Sequence, residues 1–154
     1  MAAYFFDSSA LVKRYMSESG SAWVIGITNP VVDNDIHIVR ITGVEVVSAM
    51  TRIRRSGRLP TVDAVAAISD FHHDFSADYR ITEVTPALVR HAMTLAETHG
   101  LRGYDAVQLA ATLAVNERRL ALGLSAVTLV SADTDLNTAA TAEGLTVTDP
   151  NSHL

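Results

Sequence analysis

Hydrophobic positions along this chain fall into short apolar runs separated by longer stretches of helical period. Ala3 to Phe6 is a four-residue apolar run that stops at Asp7, the pattern of a buried strand. Ile36 to Ile41 alternates and is rich in β-branched residues, which predicts a second strand. Tyr79–Val84, Ala126–Val130 and Leu145–Thr148 supply three more. Between them the apolar spacing lengthens. One helix is expected from Ser8 to Met16, with Ser8 and Ser9 as candidate caps, and another from Gly20 to Thr28, broken by Asn29-Pro30. Others follow from Thr42 to Ser56, from Pro60-Thr61 to Phe75, and from Thr85-Pro86 to His99, with proline at the first helical position. The last two run from Gly103 to Leu122 and from Ala132 to Glu143. Strands alternating with helices predict an α/β fold with a parallel sheet covered on both faces. No internal repeat, low-complexity segment or linker interrupts it, so residues 1–154 read as a single domain.

This layout places the acids. In open parallel sheets, ligands bind beyond the carboxyl ends of the strands, where strand order reverses. Asp7 ends strand one, and Asp133 follows strand four. Glu45 and Asp105 fall in the first turns of the helices opened by Thr42 and Gly103. All four therefore belong to one rim. Carboxylates gathered in one cleft repel each other until one takes a proton or a cation enters. Hard oxygen donors suit Mg²⁺ or Mn²⁺, and such a site supports water attack on a phosphodiester.

Each acid also has a plainer explanation. Thr42-x-x-Glu45 has capping-box spacing. Asp105 suits a helix N-terminus through the macrodipole. Asp133 or Asp135 can cap the helix that follows, and either could be the ligand. Asp7 is hardest to explain away, because an acid that ends an apolar strand is buried or nearly so, although it too can be a helix N-cap. The functional signal is the joint placement.

Composition narrows the chemistry. The 154 residues contain no cysteine, which excludes disulfides, thiolate metal sites and cysteine nucleophiles. No apolar run approaches a membrane span, and Met1–Phe6 lacks the features of a signal peptide. A cytoplasmic protein is expected. The net charge of −5 argues against binding nucleic acid by bulk charge. The cations are clustered, however: Arg52, Arg54, Arg55 and Arg58 form one group and Arg118 and Arg119 another. Lys13, the only lysine, and Arg102 lie nearest the rim and are the better candidates for contact with the phosphates of a nucleic acid; Arg52 and Arg55 are further candidates. Adjacent His72 and His73 point in different directions on a helix and read as surface residues.

The residues that carry the acids resemble a known family. Asp7-Ser8-Ser9-Ala10-Leu11-Val12-Lys13 is similar to the opening motif of PIN-domain proteins, and Glu45-Val46-Val47-Ser48-Ala49 with Arg52, Arg55 and Gly57 to their second. Leu101 to Ala110, centred on Asp105, resembles the third. Ser131-Ala132-Asp133 with Leu136, Ala139-Ala140 and Glu143-Gly144-Leu145 resembles the closing segment. Size and wording look most like VapC-type toxins of bacterial toxin–antitoxin pairs. The resemblance implies a three-layer α/β/α sandwich with a five-stranded parallel sheet, and a Mg²⁺- or Mn²⁺-dependent endoribonuclease leaving 5′-phosphate ends. It also implies a homodimer and a small VapB-like antitoxin as partner. By residue it carries the catalytic metal site onto Asp7, Glu45, Asp105 and Asp133, with Ser9 and Ser131 in support. Asp135 is a rival to Asp133 as ligand.

Two other classes compete. A phosphoacceptor signalling domain also pairs a parallel sheet with acids, but it needs a lysine near the end of a late strand, and Lys13 lies on the first helix. A non-catalytic interaction protein on the same fold would use its acids only as caps.

Overall fold

A computed structural model describes all residues, 1–154. Its elements in chain order are β1 (Ala3–Phe6), α1 (Ser8–Leu11), α2 (Ser21–Thr28), β2 (Asp35–Val39), α3 (Thr42–Arg55), α4 (Thr61–Ala77), β3 (Arg80–Thr82), α5 (Pro86–His99), α6 (Gly103–Ala121), β4 (Thr128–Val130), α7 (Thr134–Ala142) and β5 (Thr146–Thr148). The five strands form one sheet in the order β3-β2-β1-β4-β5, every pairing parallel. The expected α/β/α sandwich is present.

Side chains on a strand alternate between faces, and here each face has its own core. Phe5, Val39 and Leu129 pack with α5, α6 and α7 through Leu95, Leu109 and Leu136. Phe6, Ile38 and Val130 pack on the other face with α1, α2, α3 and α4 through Leu11, Val46, Met50 and Phe71. Burial of both faces explains why the strands read as apolar runs.

Differences from the sequence expectation are local. β1 has the predicted bounds, and the other four strands are shorter than predicted. β2 ends at Val39, because Ile41 is already helical and forms the N-terminal boundary of α3. The first helix does not continue to Met16; after Leu11 it tightens into a 3₁₀ turn over Val12–Arg14. Nor do Ser8 and Ser9 cap it, because the Asp7 side chain accepts from the Ala10 amide at 3.0 Å.

The chain moves outward from β1 through β2 to β3, then crosses back to β4 on the other side of β1. The crossover changes faces, from α3 and α4 to α5 and α6. A crevice therefore opens between the carboxyl ends of β1 and β4.

Candidate active site

Asp7 and Ser131 meet in that crevice. The Asp7 amide donates to the Val130 carbonyl at 3.2 Å and prolongs the β1–β4 pairing. Its carboxylate is buried beneath two serines. Ser131 Oγ donates to Oδ2 at 2.8 Å, and Ser9 Oγ lies 2.8 and 2.9 Å from the two oxygens. Both hydroxyls in turn accept backbone amides. Asp133 N–H donates to Ser131 Oγ and Ala132 N–H to Ser9 Oγ, each at 3.0 Å. Two relays thus tie the end of β4 to the end of β1 through one carboxylate. Burial raises the Asp7 carboxyl to about 7, against the lowering effect of the bonds from Ser9, Ser131 and Ala10; the charge of Asp133 raises it further.

The other acids surround this point on helix N-termini. Asp133 caps α7, accepting from Leu136 N–H at 3.0 Å. Asp105 lies in the first turn of α6. Arg102 joins the two, with Nη2 3.1 Å from Asp133 and Nε 3.5 Å from Asp105. Burial raises the Asp105 pKa most, Asp133 and Asp135 add to the rise, and Arg102 opposes it. Glu45 accepts from Gln108 Nε2 at 3.1 Å, and its pKa is also raised, first by burial and then by Asp105.

This arrangement replaces the capping-box reading of Glu45. Thr42 is the first residue of α3, not its cap, and its hydroxyl accepts from the same Gln108 amide at 2.9 Å. Asp7 and Asp133 are caps, as the plainer reading allowed, and both still face the shared rim.

The donor set suits a hard divalent cation. Its oxygens come from carboxylates, and three of those carboxyls are pushed toward protonation by burial and mutual repulsion. Arg102 bridges Asp105 and Asp133, however, and the two serines engage Asp7. No three acidic or histidine side chains converge into a preassembled metal cage.

Curated relatives supply the deciding observation. The chain is 33% identical over 124 residues to Ribonuclease VapC45 of Mycobacterium tuberculosis, covering 80% of this chain and 84% of the relative. It belongs to the VapC ribonuclease family. No family model matches the chain. Among solved structures, M. tuberculosis VapC20, described as a sarcin-ricin loop cleaving toxin, superposes with a TM-score of 0.60 at 18% identity, covering 89% of this chain and 95% of that one. VapBC2 of Rickettsia felis, solved on a promoter DNA fragment, gives 0.60 at 13% identity, covering 96% and 98%. At such identities these two establish the fold alone.

In this VapC-family chain the predicted RNA-contacting cations divide. Arg102 is exposed over the acids, and Arg52 lines a cavity that also holds Glu45. Arg55 is exposed one turn further along α3, outside that cavity. Lys13 is a correction. It is buried, with Nζ 3.1 Å from Glu18, because the 3₁₀ turn after α1 rolls it inward. It is not available to phosphate.

Sequence reasoning missed Gln108 as the residue that holds Glu45. Its signal was a polar side chain within the otherwise apolar buried stretch of α6, three residues after Asp105. Tyr104, exposed beside Asp105, was also unassigned.

Proposed function

We propose that this chain is a Mg²⁺- or Mn²⁺-dependent endoribonuclease and the toxin half of a toxin–antitoxin pair. The observation that carries the reading is the Asp7–Ser131 junction at the strand-order reversal, ringed by Glu45, Asp105 and Asp133, in a VapC-family chain. Asp7, Asp105 and Asp133, with Asp135 as the rival to Asp133 and Glu45 alongside, would hold a divalent ion, which would supply charge neutralisation and water activation at the phosphodiester. The chain's own residues prepare the site. Ser9 and Ser131 fix the Asp7 oxygens in advance, and Gln108 fixes Glu45. Arg102, exposed and shared between two carboxylates, can exchange one of them for a phosphate oxygen of the substrate.

The named relatives are ribonucleases, and one structural neighbour is an assembled VapBC complex, which supports an antitoxin partner here. The same reading makes the protein a cytoplasmic homodimer. The test is cleavage of total RNA by antitoxin-free protein with Mn²⁺ or Mg²⁺, with EDTA, and with Asp105→Asn. Discrete fragments that vanish with EDTA and with the substitution are expected. Absence of cleavage together with absence of Mn²⁺ binding by calorimetry favours a non-catalytic interaction protein.

A further inference from the structure

α3 and α6 direct their N-termini at the rim, and their first turns share a pattern. In each, the acid is preceded by an exposed apolar residue: Val44, 67% exposed, before Glu45, and Tyr104, 59% exposed, before Asp105. Successive helical residues point about 100° apart, so the apolar residue flanks the acid. Val44 and Tyr104 line one cavity of about 360 Å³ with Ser8, Ser9, Glu45 and Arg52, within the size range of small-ligand sites. Tyr104 is the only aromatic among the exposed large hydrophobic side chains. Packing does not account for it. Every other aromatic is at least half-buried in the cores or at their margins. Arg52, in the same cavity, forms no ion pair.

A flat aromatic ring, an aliphatic wall and a free guanidinium make a slot for a planar group that carries a phosphate. We infer that the space between Tyr104 and Val44 holds an unpaired nucleobase of single-stranded RNA next to the scissile phosphate, with Arg52 on a neighbouring phosphate. The inference rests on the ribonuclease reading and deepens it. A base within a duplex offers only its edges, so stacking on Tyr104 selects unpaired nucleotides. Because any base has a π-face, the ring confers affinity and register more than base identity.

The test uses intact protein in EDTA, so that RNA is bound but not cut. Single-stranded oligoribonucleotides carry 2-aminopurine at one position each, and anisotropy gives affinity. Wild-type protein is expected to quench the probe at one or two adjacent positions. Tyr104→Phe keeps the quench. Tyr104→Ala loses it and weakens binding roughly 5- to 150-fold, the range of base–aromatic stacking. An abasic nucleotide at the quenched position weakens wild-type binding to the Tyr104→Ala level and leaves that variant unchanged. Arg52→Ala keeps the quench and makes the salt slope shallower by about 0.7. Wild-type quench and affinity in Tyr104→Ala, or equal binding of a fully paired duplex, overturns the slot. Tyr104 is exposed, so an unchanged melting temperature in the variants checks folding. Failure of the ribonuclease reading is seen separately, as absence of metal-dependent cleavage by wild-type protein, while the quench still judges the slot.

Discussion

At the scale of single residues, the candidate site depends on buried polar groups whose partners lie far away in sequence. Gln108 is buried, and one amide nitrogen serves both Thr42 and Glu45. Gln108→Leu leaves the buried Thr42 hydroxyl without its donor and frees Glu45. A loss of about 1–3 kcal/mol in urea unfolding is expected, with a fall in RNA cleavage. Ser131→Ala removes the bond that sets Asp7 and the acceptor of the Asp133 amide. Groups that orient metal ligands typically cost about 10–100-fold when removed, so under the proposed metal-dependent reading a drop of that size in cleavage should accompany a folded protein by circular dichroism. At the opposite rim, His37 is half-buried, and its Nε2 has no partner. Burial first, and then Arg119 and Arg80, lower its pKa from 6.5 to about 4. A folded-state pKa below the unfolded one means stability is complete above pH 6.5 and is lost as pH falls through 4. The slope for one proton cannot exceed about 1.4 kcal/mol per pH unit, and partial solvation of the ring keeps it smaller. His37→Leu should flatten thermal stability between pH 6.5 and 4 relative to wild type.

Elements are joined at a few close approaches that backbone geometry decides. α2 begins after Gly20, whose φ is +82°, and a Cβ there would stand 2.2 Å from the Pro150 carbonyl oxygen. That turn seats the C-terminal segment, whose His153 stacks on Trp23 with ring centroids 4.1 Å apart. Gly57 has a similar φ of +76°, but nothing lies within 4 Å of its missing Cβ. Comparing the two separates strain from collision. Gly57→Ala should cost only the left-handed backbone penalty, about 1–2 kcal/mol. Gly20→Ala should cost more and alter Trp23 fluorescence, because the C-terminal turn must move. Equal losses of melting temperature in the two variants would show that the Pro150 contact is unimportant. Cap chemistry was only half legible at this scale. The sequence offered Ser8, Ser9 and Asp7 as caps without choosing among them; the single carboxylate of Asp7 both caps α1 and receives the two serine hydroxyls.

Across the whole molecule, net charge and local charge act in opposite directions. With −5 overall, the proposed RNA contact falls to a few exposed arginines at the acidic rim, of which Arg102 and Arg52 are the nearest and Arg55 is a turn further along. Two or three phosphate contacts on a single strand predict a salt slope of roughly −1.4 to −2.1; a slope several-fold steeper in anisotropy titrations would require a basic surface elsewhere. The alternation of apolar runs and helical stretches, read from the sequence alone, determined the layered parallel sheet, because strands buried on both faces leave a continuous apolar signature. It also assigned Asp7, Glu45, Asp105 and Asp133 to one rim, since each ends a strand or opens a helix. Only the tertiary structure decided which side chains touch. The Asp7–Ser131 bond spans 124 positions and Glu45–Gln108 spans 63. Lys13 turned from a rim cation into a buried partner of Glu18. Local sequence pattern encodes which face a residue takes within its own element, but contacts between elements follow from strand order and packing, which no single segment carries.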